Sequence, residues 1–338
     1  MTASQTIPLL SPEEIAVRAG QQVPYQHLPD RLNLFFDRET RLRQRAAGHP
    51  MRDFLLFAAE LTHVQHDLLQ NYPEVALPDT DALQSAAQVA KPPLPAEHWP
   101  RDPQWRMQFR RLVEQLLPRL KDNPARASVE KLQDISDEAL EQQADRLLNQ
   151  VMFGLDMAAA PLVAAALQIY WTHLVLAILA RYGNQDFSPF GRTSDATACP
   201  CCGSRPTASV SRLDSTGGQY RYLHCSLCAT QWHMVRIKCS HCESTKGIHY
   251  HSMQVADARD DVPAKASIEA ETCDECNHYL KIVRMERDHE VEPVADDLAT
   301  LTLDLLVSEA GYLRHGVNLL LLFGEPSEAG DPGDSGGP

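Results

Sequence analysis

The chain has 338 residues, 43% of them hydrophobic and 22% charged, the mix of a globular protein with room for about two domains. With 31 Lys+Arg against 45 Asp+Glu the net charge is −14, which argues against non-specific binding to nucleic acid or an anionic membrane. The acidity is concentrated at the C-terminal end, where residues 291–338 carry 1 basic and 9 acidic groups.

From Met1 to Glu14 there is neither a basic run nor a long apolar run, so an export signal is not expected and the reducing cytoplasm is. Ser11-Pro12-Glu13-Glu14 reads as a capped helix start. Residues 31–46, with Leu32, Phe35, Phe36 and Leu42, are spaced for a helix; Met51, Phe54, Leu55, Ala58, Leu61 and Leu68 continue the pattern in the next segment. Residues 73–103 are rich in proline, including Lys91-Pro92-Pro93-Leu94-Pro95, and read as an extended connection. Helical spacing returns at Trp105, Phe109, Leu112, Leu116 and Leu120, and again from about Ser136 at Leu140, Ala144, Leu147 and Val151.

Met157–Ala180 is long enough to span a bilayer. Much of its apolar character is alanine, and it contains Pro161, Gln168, Thr172 and His173 between a close Asp156 and Arg181. It is expected to be a buried core helix, without stable membrane insertion.

The character changes near residue 183. From 199 to 285 cysteine pairs alternate with β-like runs at Thr207–Leu213, Gln219–His224, Gln231–Lys238, Ile248–Val255 and His278–Met285. A last helix is expected over Asp296–Ala310, with Asp296 and Asp297 at its N-terminus. Gly324–Pro338 has the composition of a disordered tail.

The sequence has nine cysteines, and eight form C-x2-C pairs: Cys199/Cys202, Cys225/Cys228, Cys239/Cys242 and Cys273/Cys276. That spacing lets one tight turn aim two thiolates at one ion, and two turns complete a tetrahedral four-sulfur shell. In a reducing compartment metal ligation is favoured over disulfides or redox pairs. The simplest pairing joins neighbours: Cys199, Cys202, Cys225 and Cys228 in one site, and Cys239, Cys242, Cys273 and Cys276 in the other. A cross-braced arrangement is the alternative. Four thiolates suit zinc and iron alike, and a closed shell leaves no open position for hydrolysis. Gly203, after the second ligand, suits a left-handed turn. Cys201 reads as a spare thiol pointing away from the site. His224, His233 and His241 lie near the cysteine turns as supporting or surface groups.

The run Tyr220-Arg221-Tyr222-Leu223-His224-Cys225-Ser226-Leu227-Cys228 resembles the formate dehydrogenase accessory (formation) protein family. So do Gln231-Trp232-His233-Met234-Val235-Arg236-Ile237-Lys238-Cys239-Ser240-His241-Cys242 and Glu271-Thr272-Cys273-Asp274-Glu275-Cys276. Tyr279-Leu280-Lys281-Ile282 is a further match, and the helical matches Ala295-Asp296-Asp297-Leu298-Ala299, Arg41-Leu42-Arg43 and Pro50-Met51-Arg52-Asp53-Phe54-Leu55 are weaker. The resemblance spans roughly residues 30–320; Cys201, Gln219 and Asn318-Leu319-Leu320 depart from its pattern.

The resemblance implies a cytoplasmic assembly factor for respiratory formate dehydrogenase. Such a factor binds iron through its cysteines and contacts the catalytic subunit before twin-arginine export. The expected fold is α+β and multidomain. A helical domain over 1–190 precedes two small rubredoxin-like (zinc-ribbon-like) β modules over 195–235 and 236–290, then a C-terminal helix over 291–323 and the tail 324–338. Two metal ions per chain are expected, iron before zinc. No nucleophile elbow, phosphate loop or helical His-Glu metalloprotease pattern occurs, so a non-enzyme is expected. A rubredoxin-like electron carrier and a zinc-ribbon nucleic-acid binder are the alternatives.

Overall fold

The structure, a computed structural model, describes residues 23–121, 123–183, 188–213, 218–253 and 266–322. The helix start at Ser11 and the tail 324–338 lie outside the described residues.

The apolar spacing of the first half produces helices as expected, α1 (Leu34–Ala46), α2 (Arg52–Gln70), α4 (Gln104–Leu116) with a 3-10 turn over Leu117–Leu120, α6 (Asp137–Leu148) and α7 (Ala160–Tyr182), and adds a short α5 (Arg126–Glu130) that was not expected. Ser136 caps α6 by accepting from the Ala139 N–H. The proline-rich connection contains one helix that its composition hides, α3 (Thr80–Gln88), capped by Asp79.

Helix α7 is the axis of the core. It is long and apolar enough to cross a membrane, yet its most hydrophobic 18-residue stretch is 83% buried inside the fold. Ala164, Ala165, Ala166, Tyr170 and Trp171 are fully buried, the alanines letting neighbouring elements approach closely. Gln168 is buried too: its Oε1 accepts from Gln65 on α2 and its Nε2 donates to the carbonyl of Ser226.

The second half, joined by one short strand from the first, forms one sheet. Its strands are β1 (Gln26–His27), β2 (Pro206–Leu213), β3 (Gln219–Cys225), β4 (Gln231–His233), β5 (Ile248–His251), β6 (Ile268–Cys273), β7 (His278–Arg284) and β8 (Leu313–Arg314), in the order β1-β4-β3-β2-β7-β6-β5 with β8 also on β7. Two antiparallel triplets, β2-β3-β4 and β5-β6-β7, are joined where β2 runs parallel to β7, Ser209 opposite Ile282. A buried ion pair, Arg221 on β3 to Glu271 on β6 at 2.7 Å, ties the triplets together on one face. Strand β6 was not expected from the sequence, because Glu269 and Glu271 make it look polar. Both acids are paired, Glu269 with Arg284 and Arg287, Glu271 with Arg221.

The expected last helix is two, α8 (Pro293–Leu298) and α9 (Leu301–Glu309), broken at Ala299–Thr300. Glu292 is the cap of α8, accepting from Val294 and Ala295. Asp296 and Asp297 are therefore not solvent-facing groups at a helix start. They are 0% and 1% exposed and bind cations: Asp296 takes Arg41 and Arg45 of α1, and Asp297 takes Lys281 and Arg314. Glu292 takes Arg38. Much of the C-terminal acidity is thus internal, clamping the sheet to the first helix.

Candidate metal centres

Each C-x2-C pair occupies a tight turn at a strand end. Cys199–Cys202 precedes β2, and the Cys199 N–H donates to the Ser204 carbonyl while Gly203 donates back to Cys199. Cys225 ends β3, and its N–H donates to the Thr230 carbonyl. The turn at Cys239–Cys242 repeats the first, with Cys239 N–H to Ser244 O and Glu243 N–H to Cys239 O. Cys273 ends β6, and Cys276 precedes β7. The residue after each second cysteine has a left-handed backbone: Gly203 (φ 76°), Ala229 (60°), Glu243 (58°) and Asn277 (54°). Three of the four are not glycine, so these turns hold backbone strain that the surrounding structure must sustain.

The turns bring the cysteines together in sequence-neighbour groups. Cys199, Cys202, Cys225 and Cys228 form one cluster, Cys239, Cys242, Cys273 and Cys276 the other, with all sulfurs of each lying within 4.8 Å of one another. In the first, Cys199–Cys228 is 3.5 Å, Cys202–Cys225 3.4 Å and Cys202–Cys228 3.7 Å. In the second, Cys239–Cys276 and Cys242–Cys273 are each 3.8 Å. A metal–sulfur bond of about 2.3 Å sets tetrahedral sulfurs about 3.8 Å apart, whereas a disulfide needs about 2.05 Å. Backbone N–H groups already point at sulfur: Leu227 and Cys228 at Cys225, both 3.4 Å, and His241 at Cys239, 3.3 Å. The donor set, spacing and N–H support fit a four-thiolate metal ion at both places.

The electrostatics of the first cluster suit a cation. Burial pushes the Cys199, Cys201 and Cys225 thiols well above their ordinary value. Burial opposes ionisation at Cys228 as well, but donation from four neighbouring thiols outweighs it and holds that thiol low. In the second cluster burial pushes Cys239 up to about 11. At Cys242 burial is outweighed by the Ser244 N–H and the neighbouring thiols, and the thiol is held low. Each cluster thus accommodates a first thiolate readily and further ones only with positive charge at its centre.

The clusters differ in exposure. All four cysteines of the first are buried, none more than 1% exposed. In the second Cys242 is exposed and Cys276 half-buried. The first is embedded in the helical core: Leu94 and Ala96 of the proline-rich run donate backbone N–H groups to the Cys201 and Cys202 carbonyls, and Trp171 donates to the Leu94 carbonyl. Cys201 does not point away from the site as expected: fully buried, its thiol lies against Cys199 and Cys228 as a fifth sulfur beside the cluster and accepts from the Thr230 hydroxyl at 3.4 Å.

His241 stacks on His278 with ring centroids 4.0 Å apart and lies 5.2 Å from His315. His241, His278 and Cys276 converge on the flank of the second cluster. Burial, with His241 and His278 adding to it, pushes His315 down to about 3. No sequence signal marks His278 and His315, which the β7–β8 pairing brings there. Burial likewise pushes His224 down to about 3, and it packs beside Gln231 rather than joining the first cluster. His233 stacks edge-on against Tyr222.

Comparison with known proteins adds a family. Residues 23–184 match the domain described as "FdhE, N-terminal", residues 198–236 "FdhE, central domain" and residues 237–321 "FdhE, C-terminal domain". A protein FdhE homolog of Klebsiella pneumoniae is 36% identical, and protein FdhE of Escherichia coli 37%, each over 91% of this chain and 94% of the relative. The crystal structure of the FdhE protein from Pseudomonas aeruginosa superposes with a TM-score of 0.74 at 37% identity, covering 88% of this chain and 99% of that one. The chain belongs to the FdhE family, the accessory-protein family that its cysteine motifs resemble.

Proposed function

We propose that this protein is a non-catalytic maturation factor for respiratory formate dehydrogenase, acting in the cytoplasm on the catalytic subunit before twin-arginine export. The observation that carries the reading is two preassembled four-cysteine clusters in an FdhE-family chain. Cys199, Cys202, Cys225 and Cys228 would hold one metal ion and Cys239, Cys242, Cys273 and Cys276 the other, iron before zinc. Iron in such a shell supplies one-electron chemistry, and zinc supplies structure alone. The chain's own residues align the sulfurs through N–H donation, exclude water from the first cluster and leave the second open at Cys242.

The test is genetic and physical together. Deleting the gene should abolish formate dehydrogenase activity, with recovery by the wild-type chain, and the purified chain should capture the catalytic subunit. Intact activity in the deletion strain together with no complex at low salt would refute the reading. A rubredoxin-like electron carrier is the second reading, favoured by the exposure of Cys242. It requires a visible thiolate-to-iron spectrum that bleaches reversibly with reductant.

A further inference from the structure

A hollow of about 290 Å³ lies between the end of α6 and the segment that follows β8. Its apolar lining is Leu147, Met152, Leu155, Leu319, Leu321 and Leu322, with Val317 at the side. It also presents Arg146, Arg205 and Arg314, and among the described residues no acidic one lines it, in a chain whose net charge is −14. Arg314 is committed to Asp297 and Asp304. Among the described residues Arg146 and Arg205 have no ion pair and no side-chain hydrogen bond, and neither is buried, so both guanidinium groups are open to a ligand. The Arg146 guanidinium lies over Gly154, where a Cβ would come within 3.0 Å of it and where φ is +75°. That glycine leaves the room the guanidinium occupies.

A second hollow of about 270 Å³ adjoins the first and shares Leu147, Gln150, Arg205, Val317 and Leu319 with it. It reaches the turns of the first cysteine cluster at Cys202, Gly203, Ser226 and Leu227, and among the described residues its acids are Glu97 and Asp195. Together the two make one trough with leucines along its lining, Arg146 in the first hollow and Arg205 where the two meet. A compact anion would fill one hollow only. An extended chain fits both, its carboxylates against Arg146 and Arg205 and its apolar side chains on the leucines.

We propose that this trough docks an extended acidic–apolar segment of a partner protein. The inference goes beyond the maturation role and stands without it, because it depends only on the lining. The occupant would cover the Cys202 flank of the first cluster, placing the partner beside a metal centre that is otherwise enclosed by the fold.

The test is fluorescence anisotropy with the full chain and a fluorescein-labelled heptapeptide carrying two glutamates among leucines. One control peptide has lysines for the glutamates, another serines for the leucines. Only the acidic–apolar peptide should bind, with affinity falling as salt rises. The Arg146→Gln/Arg205→Gln double variant, which breaks no ion pair among the described residues, should keep its melting temperature and bind about tenfold more weakly or worse. Gly154→Ala should weaken binding by displacing Arg146. Absence of binding, equal binding of the three peptides, or an unchanged affinity in the double variant would overturn the proposal. Binding that appears only when residues 323–338 are removed would give the trough to the chain's own acidic end and overturn it equally.

Discussion

The side-chain amide of Gln168, at the middle of the buried helix α7, donates to the carbonyl of Ser226 at 2.8 Å, inside the turn that carries Cys225 and Cys228. The helical half and the first cysteine cluster therefore share one core. Gln168→Leu keeps the volume but leaves the Ser226 carbonyl without its donor and the Gln65 amide with one acceptor fewer. The expected cost is about 1–3 kcal/mol. It should be read as a lower melting temperature together with faster metal loss from the first cluster. An unchanged melt and unchanged metal retention would contradict the coupling.

Exposure predicts two rates of metal release. A chelator reaches thiolates at Cys242 directly, whereas the first cluster opens only when the surrounding core does. Release from the loaded protein should be biphasic, and Cys242→Ser should remove the fast phase while leaving the slow one. A single phase lost entirely in Cys225→Ser would contradict this assignment.

The internal acidity makes Lys281 critical. Its ammonium sits at 2.6 Å from Asp304 and 2.9 Å from Asp297, itself 0% exposed. Burial works against ionisation of Asp297, but Arg314 and Lys281 outweigh it and hold its carboxyl below the usual range. Lys281→Met leaves these carboxylates one cation, Arg314, among the described residues, beside the neutral donors Asn318 and Tyr279, and should cost about 3–5 kcal/mol, measured by chemical denaturation. A loss below 1 kcal/mol, the order of a surface pair, would contradict burial of the network.

Histidine burial gives an acid limit to stability. His173 stacks on Tyr72 in the helical core, and burial, aided by Arg31, lowers it from 6.5 to about 4. The folded protein thus holds it neutral while the unfolded chain takes up a proton. Its contribution is complete above pH 6.5 and is lost as pH falls toward 4, a change of about 3 kcal/mol. Denaturation series at pH 7 and pH 4.5 should show this loss shrink in His173→Phe. An equal acid loss in the variant would place the titration elsewhere.

The sequence revealed most where chemistry is repetitive. Four C-x2-C pairs located both clusters, and apolar spacing located α1, α2, α4 and α6. The alanine-rich α7 was legible as core because Gln168 and His173 are poor neighbours for lipid, and both have buried roles here. Strand β6 was hidden because its two glutamates are neutralised by arginines distant in sequence. Asp296 and Asp297 looked like a helix start because no local pattern reveals Arg41, Arg45 or Lys281 as their partners. The left-handed turns at Ala229 and Glu243 were invisible for a related reason: tertiary structure imposes that backbone on residues that do not favour it.

Metal analysis of anaerobically purified protein tests the central claim most directly. The account predicts about two metal ions per chain, falling to about one in Cys225→Ser and in Cys242→Ser, with the first variant also melting at a lower temperature because four-thiolate binding is coupled to folding. Metal-free wild-type protein with its cysteines paired as disulfides, or full occupancy in both variants, would contradict it.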